Sequence, residues 1–188
     1  MRVFVAVEIK SDKLKELQKQ FDINGVKLTE HFHITLKFFK EISEEDVEKI
    51  KTALKTIKFE PFDLELTTLG VFPKFESFAS GGSIGLSDGN SNNSVRVIWV
   101  GAKSEGLIKL HKEIEEKLSE RFEKDVRFSE HITLGRVKFV SDKQLLLDRI
   151  KDSKVEPEKF KIREFKLIKS TLEKEGPVYE DIAFFKAN

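Results

Sequence analysis

Cysteine is missing altogether from these 188 residues, and methionine, tryptophan and tyrosine occur once each. The lack of thiols excludes disulfides, a thiolate nucleophile and any Cys-ligated zinc centre, and it agrees with a reducing compartment. Long apolar runs are missing too. No stretch approaches the roughly eighteen residues of a membrane span, and the opening Met1 to Ile9 already reads as a strand. A soluble, cytoplasmic monomer with no membrane partner is therefore expected. Nor is there an excess of one charge: 34 Lys and Arg face 33 Asp and Glu, a formal net charge of +1. Without a global basic field, any nucleic-acid partner has to be gripped locally. There is no G-x-x-x-x-G-K-[ST] loop and no G-x-G-x-x-G after a strand, so a nucleoside-triphosphate cradle is not predicted.

What is present has the length of one ordinary domain and alternates short elements of both kinds. Residues 3 to 9 read as a strand buried on both faces. Ser11 caps a helix whose Leu14, Leu17 and Phe21 share one stripe, and Asn24-Gly25 ends it. Ser43 with Asp46 forms a capping box for a helix carrying Val47, Ile50, Leu54 and Ile57 inward. Phe62, Leu64 and Leu66 alternate as a strand. Between them and the strand Val95 to Val100 lies a Gly/Ser/Asn-rich segment, about 74–94, read as a flexible loop. A long helix from Ser104 to Phe122 follows, then a helix capped by Ser141 and Gln144, then two strands near Phe160 to Leu172 and Tyr179 to Phe185. Helices and strands mix without strict strand–helix alternation, which predicts an α+β fold with mostly antiparallel sheet in a single domain, 1–188.

One tetrapeptide returns: His33-Ile34-Thr35-Leu36 and His131-Ile132-Thr133-Leu134. In an extended strand each copy puts His and Thr on one face and Ile and Leu on the other. Core packing accounts for the apolar pair but not for the joint recurrence of His and Thr. If the two strands lie side by side, two imidazoles and two hydroxyls converge, which suits proton transfer around a phosphate. On strand parity Phe32, Ile34, Leu36 and Phe38 share the core face, and His31, His33, Thr35 and Lys37 the other. Lys37 is therefore a candidate phosphate-binding cation. Arg136 falls on the face opposite His131 unless a bulge at Gly135 re-aims it. His31-x-His33 with His131 offers an alternative as a zinc site. His111, beside the apolar stripe of the long helix, reads as packing.

The paired H-x-T motifs resemble those of the 2H phosphoesterase superfamily, and the chain is most similar to the RNA 2′,3′-cyclic phosphodiesterases, also called 2′-5′ RNA ligases. The likeness extends to Arg2-Val3-Phe4-Val5-Ala6-Val7, Gly70-Val71-Phe72-Pro73, Val95 to Gly101, Gly135-Arg136, Lys169 to Leu172 and Gly176 to Glu180. The departures are His31, where the family usually has Asn, Lys40, where it usually has a small residue, and a longer loop before Arg96. The resemblance implies a bilobal, pseudo-symmetric fold, two sheets lining a central groove with helices outside. It implies His33 as acid, His131 as base, and Thr35 and Thr133 on the phosphate oxygens, with no cofactor and no metal. Arg136 and Lys37 would add charge, and Tyr179 could stack a base. The implied substrate is RNA with a 2′,3′-cyclic phosphate end, a tRNA fragment or oligonucleotide, opened to a 2′-phosphate, with 2′-5′ ligation as the linked reaction. A zinc hydrolase on His31, His33 and His131 and a non-catalytic RNA-end binder stand as alternatives.

Overall fold

The computed structural model describes residues 1–73, 95–125, 128–139, 142–174 and 176–188. The loop expected at about 74–94 lies outside them. The elements run β1 (Arg2–Ile9), α1 (Asp12–Lys19), β2 (Val26–Leu28), β3 (Phe32–Phe39), α2 (Glu44–Leu54), β4 (Phe62–Phe72), β5 (Val97–Lys103), α3 (Glu105–Leu118), β6 (His131–Val137), α4 (Lys143–Asp152), β7 (Lys159–Ile162), β8 (Glu164–Glu173) and β9 (Gly176–Lys186). All strand pairs are antiparallel, in a four-stranded sheet ordered β3-β1-β8-β9 and a five-stranded sheet ordered β2-β6-β5-β4-β7. The fold is α+β, as expected. None of the described helices is long and apolar enough to cross a membrane.

Helix starts follow their caps. Ser11 Oγ accepts from the Leu14 amide at 3.0 Å, Ser43 and Asp46 form the reciprocal box, and Ser104 Oγ accepts from the Leu107 amide at 3.2 Å. α4 departs from expectation: Asp142 is its cap, accepting from the Leu145 amide at 2.9 Å, and Gln144 turns away to Asp148. Ser141 lies outside the described residues. The strand expected from Phe160 to Leu172 is two strands. β7 pairs with β4 in one sheet, β8 with β1 in the other, and Arg163 alone links them. The apolar faces of both sheets, with Leu14, Ile50, Leu107 and Ile114 from the helices, form one continuous core.

The two motif strands share one irregularity. Val5 and Ala6 of β1 lie opposite Lys37 and Thr35, which leaves Leu36 as an extra residue; Ile98 and Trp99 of β5 lie opposite Gly135 and Thr133, which leaves Leu134 as one. Each strand thus carries a bulge at the leucine of its motif, and the face assignment of everything beyond it is exchanged. From His to the second residue after the bulge, both strands run half-buried, buried, half-buried, buried, buried, exposed.

Simple alternation fails at this point, and two expectations are corrected. Phe38 is 47 % exposed on the groove face, and Phe39 takes the core position instead. Lys37 is 2 % exposed on the core face, so it is no phosphate ligand. Its ammonium is held 2.7 Å from Glu115 of α3 and donates to the Glu123 carbonyl at 2.8 Å; the second Glu115 oxygen accepts from the Asp125 amide at 3.0 Å. At the equivalent position of β6 stands Gly135, where an added Cβ would lie 3.0 Å from Val26.

A buried pair with its remaining valences satisfied costs much more to break than to replace. Glu115→Ala is expected to lose about 3–5 kcal/mol, lowering Tm by roughly 6–20 °C for a chain of this size. The double variant Lys37→Met with Glu115→Leu should recover most of it. Thermal denaturation followed by circular dichroism measures both, and a single-variant loss below about 1 kcal/mol would contradict the buried-charge account.

Candidate active site

β3 is the edge of one sheet and β6 lies one strand from the edge of the other, and the two come into contact across the groove between the sheets. The motif side chains therefore meet from opposite sides. On β3, His33 lies opposite Glu8 and Thr35 opposite Ala6; on β6, His131 lies opposite Gly101 and Thr133 opposite Trp99. At Gly101 an added Cβ would fall 2.5 Å from Thr67 Oγ1, so the small partner of His131 lets Thr67 pack in.

Each imidazole has aromatic walls. Phe4 and Tyr179 lie 5.1 and 5.5 Å from the His33 ring, Tyr179 edge-on at 86°. Phe72 and Trp99 lie 5.2 and 6.1 Å from His131, and they stack on each other at 5.0 Å. The indole of Trp99 covers Gly70, where an added Cβ would fall 2.3 Å from the ring. A side chain at 70 would displace Trp99, and with it a wall of His131. Tyr179 packs against both Phe4 and His33, so its ring is a wall of the groove more than a free stacking surface.

His131 Nδ1 donates to the Ser129 carbonyl at 2.9 Å. A carbonyl can only accept, so Nδ1 carries the proton and the neutral ring leaves Nε2 as a free base. Burial pushes the His131 pKa below the ordinary histidine value, opposed by the Ser129 carbonyl and aided by the Arg136 charge. His33 is lowered to about 4, chiefly by burial. The His31 carbonyl favours its protonated form, whereas the charges of Arg136, His131 and His31 disfavour it. Burial also raises the Tyr179 pKa, so its phenol stays protonated at neutral pH.

Arg136 is where simple parity did not put it. The bulge that carries it to the groove face lies at Leu134, one residue before the glycine named from the sequence. From there its charge reaches His33, His131 and Tyr179 together. His31 is exposed at the start of β3, its ring 6.5 Å from Tyr179. Among the described residues no three His, Cys, Asp or Glu side chains are placed to share a metal ion, so His31, His33 and His131 form no ligand set.

Several site residues carried no signal in the sequence. Lys166 bridges Glu8 at 2.6 Å and Asp181 at 2.9 Å and sits over the Phe184 ring at 5.0 Å. Burial opposes its charge, but the two carboxylates overcome this and hold its pKa above the usual lysine value. Glu8 is thereby occupied and does not serve His33, its neighbour on β3. A cavity of about 420 Å³ opens beside this cluster, lined by Lys10, Lys159 and Lys161 among others, and it includes neither motif histidine. The paired imidazoles belong to the open groove.

The family of LigT-like phosphoesterases matches residues 6–77 and 98–179. The chain belongs to that family. It is 36% identical to a protein of Methanocaldococcus jannaschii named RNA 2′,3′-cyclic phosphodiesterase, over 97% of this chain and 98% of that one. It is 33% identical to a protein of the same name from Archaeoglobus fulgidus, over 99% and 100%. TT0787 of Thermus thermophilus superposes with a TM-score of 0.74 at 25% identity, covering 99% of this chain and 97% of that one. Escherichia coli LigT, solved with 3′-AMP, superposes with a TM-score of 0.70 over 99% and 97%; at 20% identity that likeness concerns the fold. In this LigT-like chain the bulged H-x-T strands and their aromatic walls line the groove.

The lowered histidine values have a direct consequence. In the free protein the His33 ring should titrate near pH 4 and His131 below 6.5. Removing a neighbouring positive charge favours the protonated imidazole, so Arg136→Gln should move both midpoints upward. NMR titration of the ring carbons measures this, and unchanged midpoints in the variant would place Arg136 away from the histidines.

Proposed function

We propose that this LigT-like protein is an RNA 2′,3′-cyclic phosphodiesterase that opens the cyclic phosphate to a 2′-phosphate by paired imidazole catalysis. The observation that carries the reading is the twofold occurrence of one bulged strand, each presenting His and Thr to the same groove. The names of the relatives supply the substrate class, RNA with a 2′,3′-cyclic phosphate end.

Hydrolysis needs one proton taken from water and another given to the departing ribose oxygen, and one neutral and one protonated imidazole serve the two ends without a cofactor. By analogy with the family, His131 Nε2 accepts the water proton as the new P–O bond forms. His33, protonated once the bound phosphate anion has raised its low free-protein pKa, gives that proton to the 3′ oxygen as its bond to phosphorus breaks. The product carries a 2′-phosphate and a 3′-hydroxyl. Thr35 and Thr133 donate to the non-bridging oxygens, and the Arg136 guanidinium faces the phosphate charge. Lys37 has no part in this, since its ammonium is bound to Glu115 in the core. A 5′-hydroxyl in place of water gives a 2′-5′ linkage in the same site. All these groups come from one chain, and we take a monomer as the working unit.

Only the state with one imidazole protonated and the other neutral is productive. In the free enzyme that state peaks between the two pKa values, so kcat/KM against pH should be a bell centred below 6.5. On a panel of oligonucleotides with 2′,3′-cyclic phosphate ends, His33→Ala and His131→Ala should each lose about 10²- to 10⁴-fold. Thr35→Ala and Thr133→Ala should lose about ten- to a hundredfold, the worth of a hydrogen bond to a charged group. Activity should survive exhaustive chelation. Loss in chelator with recovery on zinc would instead favour a metal enzyme, and a folded wild type that binds these ends without turnover would favour an RNA-end binder.

A further inference from the structure

The bulges that aim the site are themselves held by side chains of two helices. At β3, His111 Nδ1 of α3 donates to the Leu36 carbonyl at 2.9 Å. At β6, Gln18 Nε2 of α1 donates to the Leu134 carbonyl at 2.7 Å and to the Thr29 carbonyl at 2.8 Å. Both donors are buried, 8 % exposed for His111 and 9 % for Gln18. Both acceptors are the carbonyl of the extra residue, the peptide that a bulge takes out of regular ladder register. The Leu134 carbonyl also accepts from the Thr29 amide at 2.9 Å.

The connections cross between the sheets. α1 follows β1 of the four-stranded sheet yet holds β6 of the five-stranded one, whereas α3 lies between β5 and β6 of the five-stranded sheet yet holds β3 of the other. Each motif strand is thus held through a helix that leaves a strand of the opposite sheet. A buried carbonyl bonded by a buried donor in one direction leaves the bulge little freedom to slide or to lose its extra residue.

We propose that Gln18 and His111 are a matched pair of positioning residues. Each fixes the bulge next to one H-x-T motif through a helix that leaves the opposite sheet, so that the two halves of the site keep their mutual placement. Neither touches substrate. The proposal rests on the phosphodiesterase reading for its kinetic part only.

His111 allows bond and packing to be separated, because its ring also stacks on Phe128 at 4.0 Å and 11°. His111→Phe keeps a ring for the stack and removes the donor; His111→Asn keeps a donor near Nδ1 and removes the ring. The proposal expects His111→Phe and Gln18→Met to lower kcat about ten- to a hundredfold with KM nearly unchanged, since small misplacements of catalytic groups cost rates of that order. His111→Asn should retain most of kcat. Ile50→Val, a core change in α2 that touches neither bulge hydrogen bond, serves as the control for lost stability and should leave kcat alone. In the same variants the NMR signals of His33 and Thr35 should shift with His111→Phe, and those of His131 and Thr133 with Gln18→Met, whether or not RNA is turned over. A His111→Phe enzyme with wild-type kcat and unmoved His33 signals, or a loss of kcat in His111→Asn and not in His111→Phe, would overturn the proposal. A wild type without cyclic phosphodiesterase activity would overturn the functional reading alone, because the NMR shifts would still decide the positioning.

Discussion

Each motif strand contains one residue more than its partner strand has places for, and much of the molecule follows from that surplus. A β-strand alternates faces strictly, so Phe38 and Arg136, an odd number of residues after His33 and His131, belong by parity to the core. Inserting Leu36 and Leu134 breaks the parity once in each strand. The groove then gains an exposed ring on one side and a guanidinium on the other, while Lys37 and Gly135 fall inward. The two inward positions are filled by opposite means. Around Lys37 the core supplies a carboxylate, and around Gly135 Val26 and Lys27 stand close enough that even a Cβ would push them aside by a few tenths of an ångström.

The groove is electrically unusual in a related way. Its two titratable rings are walled by Phe4, Tyr179, Phe72 and Trp99, so water is replaced by surfaces that solvate a cation less well. A nearby guanidinium adds to the same effect. Both influences penalise a protonated imidazole until an anion enters, and a bound phosphate reverses the sign of the local field. The free site is therefore poised against protonation, and an entering anion favours the protonated rings.

The members of the candidate site are legible in the sequence because the motif is written twice. The repeat of His-Ile-Thr-Leu singled out four residues, and the strand, helix and cap patterns located most elements, including the helix starts at Ser43 and Ser104. What could not be read was everything that depends on register. The bulges have no residue signature, since leucine fits a regular strand as well as an irregular one, and so alternation puts Lys37 and Phe38 on the wrong faces and leaves Arg136 to depend on a bulge expected one residue later, at Gly135. The split of β7 from β8 was invisible for a similar reason: Lys159 to Glu173 reads as one run, and only the pairing of its halves with different sheets separates them. Glu8, Lys166 and Asp181 are ordinary charged residues until three strands bring them together.

That split at Arg163 bears on how the groove can move. The chain passes from one sheet to the other through a single residue there, and through only Thr29, Glu30 and His31 between β2 and β3. Links so short have little slack, so the sheets cannot swing apart as two domains on a flexible hinge do. The groove behaves as a fixed caliper whose gap is set by covalent chain length. A ligand of the groove is then sorted by whether it fits the gap already present, and the ordering cost of capture falls on that ligand and not on the protein.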